Sequence, residues 1–405
     1  MRSGFKVGRI FGIEIDIDGS WLFIFFLISW ELGTAFSQLH PEWGGGLAWG
    51  IAIATALLFF VSVLLHELAH SLVGQSQGVP VHSITLFLFG GVSDIQREPP
   101  SPKAEFLIAI VGPVTSFIIG AILYLLAGVS AGPIDTMTGS SVAMAGLSPL
   151  STMLLWLGSI NILLAVFNLI PGFPLDGGRV LRSILWAITG NLRRATRWAS
   201  GVGQVIAWLF IFAGITMVFG AQIPFLGSGL ISGLWLAFIG WFLNSAALQS
   251  YRQVVVHDVL HGVPVARIMR SNPPTVPSNT SITSLVYDHV MGTDDSAFPV
   301  IDNGQLMGIV TLKDIRSVGR DNWDTQKVNQ IMTPINKLVV ASPDDDAADD
   351  LDKLAKQDVH QLPVVRDGKL VGLLRQSDIL KWLHLQSNVQ RGQTVPAAFP
   401  IVLHE

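Results

Sequence analysis

The chain has 405 residues, 50% of them hydrophobic and 13% charged, with a net charge of −4 and a mean hydropathy of +0.52. Soluble domains carry about 25% charged residues, so an ordinary soluble enzyme is excluded, and 25 Lys+Arg against 29 Asp+Glu leave no basic surface for nucleic acid. With no cysteine there is no disulfide framework and no thiol nucleophile, so any transition metal must be held by His and carboxylate.

The charge is unevenly spread. Residues 1–252 carry 11 basic and 11 acidic residues, and the remaining 153 carry 14 and 18. The first part reads as a membrane domain and the second as soluble. Met1–Asp18 shows no cleavable signal. Its last six residues, Ile13-Glu14-Ile15-Asp16-Ile17-Asp18, alternate with period two and predict a strand. Six apolar runs near the ~20 residues a span needs follow: Gly19–Phe36, Leu47–Val73, Phe106–Gly128, Thr152–Ile170, Ala199–Phe219 and Leu226–Leu248. Val79–Ile95, rich in β-branched and aromatic residues and broken by Gly90-Gly91, predicts a short hairpin beside the second span. Strand backbone at membrane depth must find protein or water for its polar groups, so the hairpin is expected to line a cavity.

The basic residues set the orientation. Arg2, Lys6 and Arg9 precede span one, Arg97 and Lys103 separate spans two and three, five arginines from Arg179 to Arg197 separate four and five, and Arg252 follows six. The other three loops hold no Lys or Arg. Both termini are therefore expected in the cytoplasm, in a bacterial or archaeal cell membrane.

Within span two lies His66-Glu67-Leu68-Ala69-His70. On a helix, positions i and i+4 share a face, so both imidazoles can reach one Zn²⁺ while Glu67 stands beside a water on that metal as general base. Paired core histidines are the bland alternative, but ionisable side chains inside a membrane are costly and point to function. A third ligand must come from the same depth. Span four ends in Asn168-Leu-Ile-Pro171-Gly-Phe-Pro174-Leu-Asp176-Gly-Gly-Arg179, and Asp176 is the only carboxylate between Asp135 and Asp258. Taken alone, Asp176 is a turn or cap aspartate ahead of a helix Arg179–Ile188. Depth favours a ligand instead. At 1.5 Å per residue His66 lies roughly 28 Å below Leu47, near the cytoplasmic side, and span four runs the same way.

These residues resemble the site-2 protease family of intramembrane zinc metalloproteases, whose signature pair is H-E-x-x-H in one span and N-x-x-P-x-x-P-L-D-G in a later one. The resemblance covers about residues 1–250. It implies His66, His70 and Asp176 as zinc ligands, Glu67 as general base, and Asn168 as a residue that positions substrate or stabilises the oxyanion. It also implies that Gly90-Gly91 belongs to a strand that takes the substrate as an added strand. Members often have a His before the first span, where this chain has Asp18, and Asp18 receives no catalytic role. His257-Asp258-Val259-Leu260-His261 has similar spacing but no carboxylate partner in a nearby turn and reads as a juxtamembrane linker. His82 is expected to be structural.

The soluble part is an internal repeat. Phe298–Val310 recurs as Leu362–Leu374, each copy with a two-residue hairpin turn, Asn303-Gly304 or Asp367-Gly368. Two strand–helix–strand–strand–helix copies resemble a tandem pair of cystathionine-β-synthase-type (CBS) domains. That resemblance implies either an adenine-nucleotide site for ATP or AMP or a nucleotide-free structural or dimerising module. Gly308, Thr311 and Asp314 fit the nucleotide pattern. Gly372 and Asp378 repeat it, with Arg375 in place of Ser/Thr. Asp344–Asp352 reads as the capped, acidic start of a helix.

The expected fold is a polytopic α-helical membrane domain of six spans with short membrane-associated β segments, followed by an α/β tandem CBS module. The expected divisions are 1–252 membrane domain, 253–263 linker, 264–325 and 326–385 CBS domains, and 386–405 tail. The expected function is cleavage of a single-span membrane-protein substrate within its transmembrane segment near the cytoplasmic face, modulated by the CBS pair. The competing readings are a CBS-gated channel or transporter and an inactive member of the family.

Overall fold

The computed structural model describes residues 4–88, 90–95, 98–131, 146–223, 227–293, 295–357 and 359–390. Arg97, the start of the predicted sixth span at Leu226, and residues 391–405 of the tail lie outside them. The chain forms two compact units, Met1–Arg252 and Gln253–Glu405.

The first unit opens with a hairpin, β1 (Gly4–Ile10) and β2 (Ile13–Asp18), whose two-residue turn places Phe11 and Gly12 at positive φ. The predicted strand is β2. Its partner β1 was not anticipated, because every one of its residues is exposed and it carries no buried alternation. β3 (Val81–Phe87) adds parallel to β2, and β4 (Gly90–Ile95) pairs antiparallel with β3, giving the order β1-β2-β3-β4. Ile13, Ile15, Val81 and Ile84 pack on Leu64 and Leu68, the helical turn that carries His66-Glu67-Leu68-Ala69-His70. The sheet is thus fastened to the helix at the level of the motif.

Among the described residues six helices are long and apolar enough to cross a membrane, the number predicted. They are α1 (Gly19–Leu39), α2 (Gly44–Ser76), α3 (Pro102–Ala131), α4 (Pro149–Asn168), α6 (Leu192–Val218) and α7 (Leu230–Leu260), with the shorter α5 (Asp176–Thr189) between α4 and α6. Lipid gives no hydrophobic drive for helices to associate, so close approach depends on small residues. A Cβ at Gly33 would strike the Trp49 ring, and one at Gly120 would meet Ile162 and the carbonyl of Gly158. α4 stops at Asn168, three residues before Pro171. The following turn folds tightly: Cβ atoms at Gly177 and Gly178 would overlap the backbone of Leu169 and Gly172. Asp18 caps α1 through Ser20, at 2.9 Å to its amide.

The segment read as a linker is largely helical. α7 continues without a break to Leu260, and Val256 and Leu260 pack among Ala347, Leu354 and Ile379 of the second unit's core. The apolar pattern fades after Leu248 because the helix there buries one side only. His257 and His261 stack with ring centroids 6.2 Å apart, and His261 meets Asp346 at 3.2 Å.

In the second unit, β6 (Ala297–Asp302) and β7 (Gln305–Thr311) form the first repeat's hairpin, with α8 (Leu312–Arg316) following. β9 (Gln361–Arg366), β10 (Lys369–Arg375) and α10 (Gln376–Gln390) repeat it. Both predicted turns have positive φ at Asn303-Gly304 and Asp367-Gly368. The third strands are exchanged: β5 (Arg270–Ser271), ahead of the first repeat, pairs with β10, and β8 (Thr333–Pro334), ahead of the second, pairs with β7. α9 (Ala347–Lys356) starts at an Asp346 cap on the amide of Ala348, as its acidic start predicts.

Fusion reporters test the orientation. Reporters fused after Phe36, Gly128 and Phe219 are expected outside, and those after Lys103, Arg197 and Arg252 inside. One inverted pair would break the alternation of basic and non-basic loops.

Candidate metal centre

α2 presents His66 and His70 on one face, both about 4% exposed. α5 begins at Asp176, and the residue before it, Leu175, makes no side-chain cap. Asp176 thus stands in the first turn of α5, not at its cap. Its Oδ2 lies 3.1 Å from both His66 Nε2 and His70 Nε2, and the two Nε2 atoms are 3.2 Å apart. Among the described residues this is the one group of three or more such side chains whose ligand atoms converge.

α3 fixes the rings from behind. His70 Nδ1 is 2.6 Å from the carbonyl of Ile108, which can only accept, so Nδ1 carries the proton and Nε2 presents a lone pair. His66 Nδ1 is 2.9 Å from Ser116 Oγ. The His70 lone pair and a carboxylate oxygen thus face one another at contact distance, an arrangement that a bound cation would relieve. Zinc bonds of about 2.0–2.1 Å in a tetrahedron separate ligand atoms by roughly 3.3 Å, close to the separations seen. Space is kept as well: a Cβ at Gly112 would fall onto His70 Nε2 and beside His66 Nε2. The donor set, its spacing and the cleared cradle fit zinc.

Glu67 lies on the next face of α2. Ser93 Oγ of β4 donates to its Oε2 at 3.0 Å, and Ser71 Oγ stands 3.2 Å from Ser93 Oγ. A Cβ at Gly91 would overlap the Glu67 side chain, so β4 approaches the carboxylate closely because it is glycine there. Asn168, at the end of α4, turns its amide back to the carbonyl of Leu164 at 3.0 Å. His82 is exposed on β3.

A second buried cluster braces the site. Arg182 of α5 pairs with Glu105 at the start of α3 and with Glu98 at 3.0 Å, and its guanidinium lies 5.2 Å from the centre of the Phe173 ring. Burial opposes the charge of Arg182, but Glu98 and Glu105 outweigh it and keep the group ionised. The pair ties the helix bearing Asp176 to the helix that buttresses both histidines.

The sequence reading singled out neither this pair nor Gly112, Ser116 and Ser93. Gly112, Ser116 and Gly120 form a small-residue stripe at i, i+4 and i+8 of span three, a visible packing signal. Glu105, at the head of the apolar run Phe106–Gly128, was a weaker signal. Ser93 had none, since a lone serine in a strand is ordinary.

The peptidase family M50 profile matches residues 54–140 and 129–210, and the CBS domain profile matches 265–321 and 328–385. Rip3 of Mycobacterium tuberculosis is 34% identical over 383 residues, covering 94% of this chain and 93% of that protein. Zinc metalloprotease MJ0392 of Methanocaldococcus jannaschii is 30% identical over 381 residues, covering 94% and 96%. The chain belongs to peptidase family M50, the site-2 proteases, in a form that carries a CBS pair. The solved site-2 protease of M. jannaschii is 28% identical, covers 61% of this chain and 95% of its own, and superposes with a TM-score of 0.41. The resemblance drawn from the signature pair is borne out at family level: the chain is a zinc metalloprotease of M50 type with a tandem CBS module.

On the CBS side, Asp314 Oδ2 accepts from the amide and hydroxyl of its own cap residue Thr311, at 2.8 and 2.7 Å, and Asp314 is half-exposed. Asp378 is buried and held by Arg375 through two bonds of 2.7 and 2.8 Å, while Arg375 and Arg270 both reach Asp295. The two halves of the repeat are therefore unlike in how free their aspartates are.

The cradle can be tested without any substrate. Gly112→Ala is expected to lower zinc content sharply while leaving α3 helical, since alanine favours a helix more than glycine does. Ser116→Ala, which removes one support behind a ligand, is expected to weaken zinc about 10–100-fold. Metal analysis of the purified variants checks both.

Proposed function

We propose that the chain is an intramembrane zinc metalloendopeptidase that cuts a transmembrane segment of a membrane-protein substrate near the cytoplasmic face. The observation that carries this reading is the meeting of His66, His70 and Asp176 beside Glu67, which itself lies against the edge strand β4. Zinc, when bound by the three, would supply Lewis acidity to polarise the scissile carbonyl and ease loss of a proton from water. Glu67 takes that proton and delivers it to the leaving amide nitrogen. Ser93 holds the carboxylate in place for both transfers.

A helical substrate hides its peptide bonds in its own hydrogen bonds, so it must unwind before it can be cut. Unwound backbone in a membrane needs new partners. β4 is the outer strand of the sheet and offers such an edge, so an unwound segment can add as a further strand. Asn168 then serves from the end of α4, either orienting the substrate or supporting the oxyanion, once its amide leaves the carbonyl of Leu164.

Regulation is assigned to the CBS pair. ATP or AMP is expected at Thr311 and Asp314, the hydroxyl toward phosphate and the carboxylate toward ribose. Asp378 contributes at the other half only if Arg375 releases it. Val256 and Leu260, in the second unit's core, follow the last span closely in the chain, so the CBS pair is tethered close to the membrane domain. A channel reading accounts for the CBS pair but leaves the metal cluster without a purpose.

Co-expression with candidate single-span membrane proteins separates these roles. Glu67→Gln should keep one zinc per chain and lower cleavage about 10²–10⁴-fold, whereas Asp176→Asn should lose the metal while inserting normally. Substantial cleavage by Glu67→Gln would assign the proton to another group, and full zinc in Asp176→Asn would remove Asp176 from the ligands. For regulation, titrating ATP and AMP into the full-length protein should show saturable binding that Asp314→Ala abolishes without loss of zinc. Equal binding by Asp314→Ala would place the nucleotide elsewhere or dismiss it.

A further inference from the structure

An apolar groove of about 460 Å³ opens between α5 and α6, away from the metal centre. Leu181 and Leu185 of α5 form one wall, Trp198, Val202 and Val205 of α6 the other, and Gly201 the floor. Three observations on α6 point to what fills it.

Gly201 is the first. Glycine weakens a helix interior relative to alanine, and α6 has an evident reason for it at Gly203, where a Cβ would run into the backbone of Phe173. At Gly201 no protein atom lies within 4 Å of where a Cβ would be. The internal packing of the chain does not call for glycine there. What its absent side chain does is deepen the groove.

The second is charge. Arg194 and Arg197 are exposed at the basic end of α6. No hydrogen bond or ion pair engages either guanidinium among the described residues. Positions 194, 197, 198, 201 and 205 follow helical spacing, so the arginines stand at the head of the same stripe that lines the groove. Third, Trp198 lies between the arginines and the groove with 67% of its surface exposed, the place an indole takes at the headgroup level of a bilayer.

The dimensions agree. From Arg197 to Val205 the helix rises about 12 Å, and one leaflet of hydrocarbon is about 15 Å thick. We propose that this groove is a binding site for an anionic phospholipid, with an acyl chain along Gly201 to Val205 and the phosphodiester on Arg194 and Arg197. Basic pockets beside membrane helices hold acidic headgroups in this way. A packed helix from another protein would have to supply carboxylates of its own for two arginines at the interface, whereas a phosphodiester brings its charge with the chain that fills the groove.

The test uses the full-length protein purified in neutral detergent and offered equal amounts of phosphatidylglycerol and phosphatidylcholine, with retained lipid read by native mass spectrometry. Wild type should keep one phosphatidylglycerol in preference to phosphatidylcholine. Arg194→Gln/Arg197→Gln should lower that retention about tenfold or more. Gly201→Leu, whose Cβ meets no protein atom within 4 Å and whose side chain extends over the floor, should lower it as well while keeping zinc content and the melting temperature in lipid-free detergent. The proposal is overturned if wild type retains the two lipids equally, or if Gly201→Leu holds phosphatidylglycerol as wild type does. If Gly201→Leu instead turns a dimer into a monomer with lipid retention unchanged, the groove belongs to a second copy of the chain. Should the arginine double variant fail to fold, Gly201→Leu alone decides.

Discussion

Two acceptor atoms, His70 Nε2 and Asp176 Oδ2, point at one another at the metal centre, with His66 Nε2 at nearly the same distance from both. Nε2 of His66, Nε2 of His70 and Oδ2 of Asp176 approach to 3.1–3.2 Å, and the proton that would relieve His70 is committed to the carbonyl of Ile108. The local dielectric is low, so the repulsion is stronger than at a protein surface. Much of the first unit serves to hold this arrangement against it. α3 supplies the supports behind both rings, the tight turn after α4 aims Asp176, and the four-stranded sheet fixes the outer side of α2.

The brace between α5 and α3 follows from the same need. A buried ion pair is weak evidence for stability by itself, because desolvation offsets much of its attraction. Removing one partner is a different matter, costing about 3–5 kcal/mol by stranding the other charge. Arg182 and Glu105 therefore contribute little as a favourable contact and much as a constraint. They forbid α5 from sliding along α3, which would separate Asp176 from the histidines.

The candidate metal ligands were legible because membrane residence makes each charged residue conspicuous. In residues 1–252 only 11 acidic residues occur, and Asp176 stands alone between Asp135 and Asp258. Six apolar runs, oriented by the alternation of basic loops, then put two distant segments at a common expected depth. The supports were harder to see. Ser116 and Gly112 look like ordinary helix-packing residues, and the carbonyl of Ile108 leaves no mark in a sequence. β1 escaped notice because it buries no face. The helical character of the segment read as a linker was not legible, since Val256 and Leu260 pack in the second unit's core with no long apolar run to mark the helix there. In the second unit the hairpin turns at Asn303-Gly304 and Asp367-Gly368 were explicit, while the exchanged strands, only two residues each, fell below any periodicity signal.

That exchange makes the two repeats mutually dependent. β5 closes the sheet of β9 and β10, β8 closes that of β6 and β7, and Gly308 and Gly372 leave no room for a side chain where those short strands cross. Each repeat is incomplete alone, with an open strand edge where the borrowed strand belongs. The pair is thus a single cooperative folding unit despite its twofold sequence, and the ribosome must release residues beyond Thr333 before even the first sheet can be finished. A gene cut between the copies would yield two sticky halves in place of two domains.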